Sequence, residues 1–264
     1  ERIKTMRKAA IIVLALLLSI NSLAQDTRRP TKRASLRVKS SAAMPTVDAV
    51  LEKYVKAIGG KAALLKINSR FSKGTFEISS LAGVKGTLEV YEKAPNKEVA
   101  MLTIPGIGTQ AEGFNGTLAW ALEPDSGVVH DKTGLELASA KRDAEFYEEI
   151  KLKELYPRMT VKGVEKVGAH AAYIIEAVPQ AGSPERLYFD TQTGLLLRKD
   201  SEEEGDEGKR SVEEYYDDYR AVDGVRLPFS IHQISPGMNF TIKLSEVKQN
   251  IPVDDSKFNK PEEQ

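Results

Sequence analysis

His130, His170 and His232 are the side chains of this sequence best suited to proton transfer or metal ligation near neutral pH. They fall in three separate segments and lack the paired spacing of a zinc-protease helix, so no shared metal site is expected. The chain has no cysteine, which removes disulfides, thiolate metal sites and a cysteine nucleophile. Its serines show no strand–turn–helix nucleophile pattern. Gly106-Ile107-Gly108 has part of the glycine spacing of a dinucleotide loop, but no βαβ unit follows it. Asp217 and Asp218 are adjacent on an expected strand and so point to opposite faces, unlike a two-carboxylate glycosidase pair. The acidic run Glu202 to Glu207 lacks the alternating ligands of a calcium loop and reads as a solvated hairpin tip. No aromatic–basic interleaving supports nucleic-acid binding. No catalytic residue, metal or cofactor is therefore expected, and the protein is not expected to be an enzyme.

What remains is apolar chemistry, and the elements that position it are legible. The 264 residues carry 38 basic and 38 acidic side chains, so no global charge steers the chain to a polyanion. Met6-Arg7-Lys8, the apolar run Ala9 to Ile20 and the small residues Ser22 and Ala24 read as a secretory signal peptide spanning 1–24. Residues 25–45 carry Arg28, Arg29, Lys32, Arg33, Arg37 and Lys39 with little apolar content, and are expected to be a disordered basic linker. A single domain is expected over 46–264.

Within that domain Val47, Val50, Leu51, Tyr54, Val55 and Ile58 form the apolar stripe of a helix, with Thr46 as N-cap and Gly59-Gly60 as the stop. From Arg70 the period changes to two. Phe76 and Ile78, then Leu88 and Val90, and finally Met238, Phe240, Ile242 and Leu244 alternate with polar neighbours. Pro184 to Lys199 places two apolar runs around Asp190-Thr191-Gln192-Thr193-Gly194. This is a hairpin in which Asp and Thr bond the local backbone and Gly takes a positive φ. Thr133-Gly134-Leu135-Glu136 matches a capping box. It opens a helical stretch to about Met159, with a break expected near Tyr147. Phe258 is expected to tuck back from a polar tail.

Short turns force antiparallel neighbours, and so many strands must curl. The expected class is α+β: a strongly curved antiparallel sheet, an unclosed half-barrel of about eleven strands, covered on its concave face by a few helices. The sequence at this point resembles the LolA-like group, the outer-membrane lipoprotein-sorting proteins and their bacterial relatives. The resemblance spans roughly 46–261. It rests on the helix ending in Gly59-Gly60, the Trp120 strand after Asn115-Gly116, Tyr188-Phe189-Asp190 before Thr193-Gly194, Asp223-Gly224 before Leu227-Pro228, and Val253-Asp254-Asp255-Ser256-Lys257-Phe258.

The resemblance implies a periplasmic carrier, soluble and monomeric, whose hydrophobic cavity takes the acyl chains of a lipid or lipoprotein. An alternative is a sensor domain that engages a membrane-associated envelope protein. Alternation supplies the candidate lining. On the first strands it is Phe76, Leu88, Val90, Met101 and Trp120. In the middle of the chain it is Tyr173, Ile175, Leu187, Phe189 and Leu196, and at the end Phe229, Phe240 and Ile242.

Overall fold

The structure, a computed structural model, describes residues 44–81, 83–205 and 208–262. The expected signal peptide and nearly all of the expected linker lie outside the described residues. Four helices are described: α1 (Val47–Ala57), α2 (Lys61–Leu64), α3 (Gly134–Asp143) and α4 (Glu148–Leu155). The first strands are β1 (Ser69–Ile78), β2 (Val84–Lys93), β3 (Lys97–Ile104), β4 (Gly108–Phe114), β5 (Ala119–Leu122) and β6 (Val129–Asp131). After α3 and α4 come β7 (Arg158–Val167), β8 (His170–Val178), β9 (Glu185–Asp190), β10 (Leu196–Gly205), β11 (Gly208–Val222), β12 (Val225–Ser235) and β13 (Met238–Gln249).

All thirteen strands form one antiparallel sheet in the order β6-β5-β4-β3-β2-β1-β13-β12-β11-β10-β9-β8-β7. The order explains the fold. The chain enters at the middle with β1 and meanders outward to one edge at β6. It crosses through α3 and α4 to the far edge at β7, then meanders back until β13 pairs with β1. The curved sheet is thus an unclosed half-barrel, and α3 and α4 bridge its gap.

Helix α1 forms where Thr46 accepts a hydrogen bond from the Ala49 amide at 3.2 Å, with Asp48 in the first turn and Lys56 in the last. Its end is shaped by contact as well as by conformation. Gly59 has φ +124°, and a Cβ there would lie 2.2 Å from the Gly224 carbonyl oxygen in the β11–β12 turn. The Arg226 amide donates to Ile58 O at 2.8 Å beside it. The β9–β10 turn docks on the same helix, where Lys53 Nζ donates to Thr191 O at 2.7 Å. In that turn Asp190 Oδ1 accepts from the amides of Gln192 and Thr193, and Gly194 takes φ +82°, as the sequence predicts.

The greasy side of α1, with Val50, Leu51, Tyr54 and Ile58, packs with Leu152 and Tyr156 of α4 against Ile175, Leu187, Phe189, Val225 and Phe229. Tyr54 and Phe189 meet with ring centroids 5.1 Å apart. Each such side chain contributes about 1.5–3 kcal/mol by leaving water. Deeper on this inner face, Phe76, Ile78, Leu88, Leu102 and Phe240 form a second cluster. Gly86 has no Cβ because the Phe76 ring lies on it, 2.5 Å from where that atom would be.

The outer face has its own cover. The C-terminal tail folds back, Phe258 is fully buried, and its carbonyl accepts from Trp120 Nε1 at 3.0 Å. Trp120, Val99 and Ala111 surround Phe258, and Met101 packs beside them. This corrects the expected lining. Met101 pairs with Glu89 and Ala111, whereas the inner row of β3 holds Leu102, so Met101 and Trp120 face outward. Further departures are local. The short edge strand β6 was not expected, and Glu202 to Glu204 of the acidic run belong to β10, while residues 206 and 207 lie outside the described residues. The helical stretch does break, between α3 and α4, but Thr133 makes no side-chain capping bond.

Candidate binding cavity

Helix α3 is held differently from α1. None of its ten residues is buried. Leu137 and Ala140 rest lightly on Phe114, Ala119 and Ala144. Arg142, near its C-terminal end, reaches across to Glu185 of β9 at 3.1 Å and lies over the Tyr156 ring. Between α3 and the inner face of the sheet is a cavity of about 460 Å³. That volume falls in the range of small-molecule sites. Its walls come from α3, from β3 and β4 on one side of the gap, and from β9 to β12 with the 181–183 loop on the other.

Register explains which side chains line it. Gln249, Arg70, Glu92, Glu98 and Phe114 are successive cross-strand partners from β13 through β1, β2 and β3 to β4. Directly paired residues share a face. This rung therefore lays a polar row across the inner surface, and it reaches the cavity at Glu98 and Phe114. On the opposite wall Leu187, Lys199, Glu214, Gln233 and Phe240 form a second rung from β9 to β13. Lys199, Glu214 and Gln233 line the cavity.

The charges are mostly paired. Arg70 holds Glu92 at 3.1 Å, Lys199 faces Glu214 at 3.6 Å, and Lys132 bonds Glu112. Tyr156 Oη donates to Glu185 Oε2 at 2.7 Å, so Glu185 is held from two sides. In the wall as a whole seven acidic side chains meet four basic ones.

Burial disfavours the charged carboxylates, and it is the largest influence on each of three glutamates. It raises the pKa of Glu98 well above the ordinary range, with the charges of Glu92, Asp143, Glu112 and Glu148 adding to the effect. Glu148, in the first turn of α4, is pushed up to about 8 by burial, although Lys199 opposes the shift. Glu149 rises as well, against the pull of Arg70. Lys199 moves well upward, through the Tyr216 hydroxyl once ionised and through the Glu214 carboxylate.

The thirteen residues expected to line a cavity occupy three places. Ile175, Leu187, Phe189 and Phe229 are buried beneath α1 and α4, with Tyr173 and Leu196 at the margin. Phe76, Leu88 and Phe240 make the deep cluster, with Val90 and Ile242 against it. Met101 and Trp120 lie on the other face. None of the thirteen lines the cavity under α3. The polar residues that do line it were missed, yet one signal was present. Glu185, Leu187 and Phe189 alternate, so a carboxylate was legible on the same face as two core residues. The three histidines stay apart. His170 Nδ1 is 2.9 Å from Asp190 Oδ2 and His232 Nδ1 meets Thr241 Oγ1 at 2.8 Å, neither in the cavity. Among the described residues no group of three potential metal ligands forms.

No protein-family model and no curated protein matches the sequence. Solved structures do match. A LolA-superfamily protein from Nitrosomonas europaea is 16% identical with TM-score 0.56, covering 82% of this chain and 99% of its own. The fold is LolA-like. A DUF1329-family protein from Desulfovibrio piger is 17% identical with TM-score 0.55, covering 81% of this chain and 97% of its own. A putative outer membrane lipoprotein-sorting protein domain from Vibrio parahaemolyticus is 10% identical with TM-score 0.53, covering 73% and 89% respectively. The LolA-like sheet therefore accounts for most of the described chain, and the mixed-charge cavity lies at the gap where that sheet fails to close.

Proposed function

We propose that this protein is a non-catalytic binding protein of the bacterial envelope, exported across the inner membrane, which holds a lipid or the lipidated part of a protein. The observation that carries this reading is the 460 Å³ cavity roofed by a helix with no buried residue. A roof that buries so little can lift without unfolding the sheet, because the apolar area it would expose is small. The similarity in fold to a lipoprotein-sorting domain supports the ligand class. No helix among the described residues is long and apolar enough to cross a membrane, which fits a ligand carried to the protein rather than reached within a bilayer.

The lining gives the ligand an orientation. The polar wall suits a headgroup. The second rung runs from Glu214 through Gln233 to Phe240, so the floor lies one strand from the deep apolar cluster. An acyl chain lying toward that cluster gains about 0.8 kcal/mol for each methylene removed from water.

A second reading, an interaction domain for an envelope protein, is favoured by the free flank of the ten-residue edge strand β7. That edge is blunted by a register shift between Val161 and Gly163 and by Lys162 and Lys166, devices that discourage strand addition. The cavity reading is therefore preferred.

The test is native mass spectrometry of protein purified from a bacterial periplasm without detergent. The reading predicts a mass increment of one or two acyl-chain lipids that organic extraction removes. A bare mass that stays bare after lipid is added would overturn it.

A further inference from the structure

The charge of the chain is unevenly placed. Of its 38 basic and 38 acidic side chains, 10 basic and 2 acidic lie in residues 1–45, so the domain from Thr46 onward carries 28 against 36. A body with that surplus of acid is repelled as a whole by an anionic surface. One stretch is the exception. From Lys53 to Phe76 there is no acidic residue, while Lys53, Lys56, Lys61, Lys66, Arg70 and Lys73 all fall there.

The fold gathers part of this stretch at the corner between α1 and α2. Leu64 and Ile67 turn inward and are buried, which leaves Lys61, Ala62, Leu65 and Lys66 on the outer side. Lys61 and Leu65 are four residues apart on one turn, closed by the Leu65 amide donating to Lys61 O at 3.0 Å, so their side chains are neighbours. Lys56 adds a charge from the last turn of α1. Leu65 is 50% exposed. Lys56, Lys61 and Lys66 are exposed beside it, and among the described residues none of the three makes an ion pair or a side-chain hydrogen bond. On the next strands, by contrast, Lys73, Lys85, Lys93, Lys97 and Lys132 each hold a carboxylate. Two acids lie close by. Glu52 is one turn before Lys56, and Asp223 is in the turn that meets Gly59, where Arg226 offsets it.

We infer that this corner docks the domain reversibly on an anionic lipid bilayer, with Leu65 in the headgroup layer and Lys56, Lys61 and Lys66 on lipid phosphates. Lysine stems lie along apolar matter while their ammonium groups reach anionic oxygens, so a half-exposed leucine among unpaired lysines suits a lipid interface. Charge complementarity also sets the orientation, because the acidic remainder of the domain is pushed away. A second signal sits on the same helix. Residues 28–39 carry Arg28, Arg29, Lys32, Arg33, Arg37 and Lys39 with no acid, and the chain runs from there into α1. One weak signal gives marginal attachment and two give a stable one. The docking surface is separate from the cavity and does not depend on what the cavity holds.

The test is co-sedimentation of the protein, purified from a bacterial periplasm, with vesicles of phosphatidylcholine alone or of an equal mixture of phosphatidylcholine and phosphatidylglycerol. Wild type is expected to partition about tenfold or more strongly onto the anionic vesicles. Raising salt from about 0.1 M to about 1 M, which shortens the screening length from about 10 Å to about 3 Å, should release it. The combined variant Lys56→Gln, Lys61→Gln and Lys66→Gln should lose about tenfold or more, since each charge near the surface is worth up to about fivefold. Leu65→Ser should lose about threefold or more on the same vesicles. The combined variant Lys141→Gln, Lys166→Gln and Lys243→Gln removes three exposed lysines elsewhere and should bind within about twofold of wild type. Equal partition of wild type onto both vesicles overturns the inference. So does wild-type binding by the first variant, which would assign attachment to residues 28–39 alone, or an equal loss in the control, which would reduce it to net charge. Should the first variant fail to fold, Leu65→Ser decides, and its binding like wild type overturns the inference.

Discussion

The two helical covers of the inner face are opposites. Helix α1 drives Val50, Leu51 and Tyr54 into the sheet and is held by two turns, one at Lys53 and one at its C-terminal end. Helix α3 has no fully buried residue and spans a cavity whose walls are largely charged. One is a structural member and the other a roof. The lesson is that a single sheet face can carry an apolar core over one part and the charged wall of a cavity over another. What decides is the residue type at inner-facing positions. Under α1 these are Ile175, Leu187 and Phe189, whereas under α3 they are Glu98, Lys199 and Glu214.

The contrast predicts unequal responses to mutation. The largest belongs to the α1 side. Phe189→Ala removes a ring packed on Tyr54 and 1% exposed, and should cost about 3–5 kcal/mol in chemical denaturation. A loss under 1 kcal/mol would mean that the α1 cluster is loosely packed and the contrast is false.

The next effect comes from the polar side and shows as pH dependence. Glu148 holds its proton more tightly in the folded state, with a pKa of about 8 against an ordinary value near 4.3 in the unfolded chain. A raised folded pKa gives stability that is complete below the unfolded value and fades as pH climbs through 8. Glu98 and Glu149 act in the same direction. Lowered carboxylates such as Asp190 act oppositely, but only at pH below the ordinary carboxylate range. The melting temperature should therefore fall from pH 5.5 to pH 8.5, and Glu148→Gln should flatten that slope. An identical slope in the variant would remove Glu148 from the account.

The smallest effect is at the roof. Leu135 lines the cavity yet is 48% exposed, so Leu135→Ala should change stability by no more than about 0.5 kcal/mol. A larger loss would show that α3 is part of the core after all.

Much of this was legible in the sequence. The capped amphipathic α1, the Asp190–Gly194 turn, the break between α3 and α4 and the returning Phe258 all follow from local chemistry, and each formed as read. The class of sheet followed from short turns. The site did not follow, for a physical reason. Alternation tells which residues share a face along one strand, but not which face turns inward. That depends on register across strands far apart in sequence, such as β1 with β13. Trp120 and Met101 looked like lining for this reason. They pack with the C-terminal tail, Trp120 buried and Met101 partly so, under a cover that no local pattern announces. Glu98, Lys199 and Glu214 looked like solvent-facing strand positions, because a charge on a strand ordinarily faces water. Only the cross-strand rungs place them indoors.

The decisive measurement is native-state hydrogen exchange followed along the chain, comparing the amides of α3 with those of α1. If α3 is a lifting roof, its amides exchange through a local opening well below the free energy of global unfolding, while those of α1 exchange only when the whole domain opens. If the two helices exchange together at the global free energy, α3 is not a separable roof, and the cavity beneath it has no door of the kind proposed.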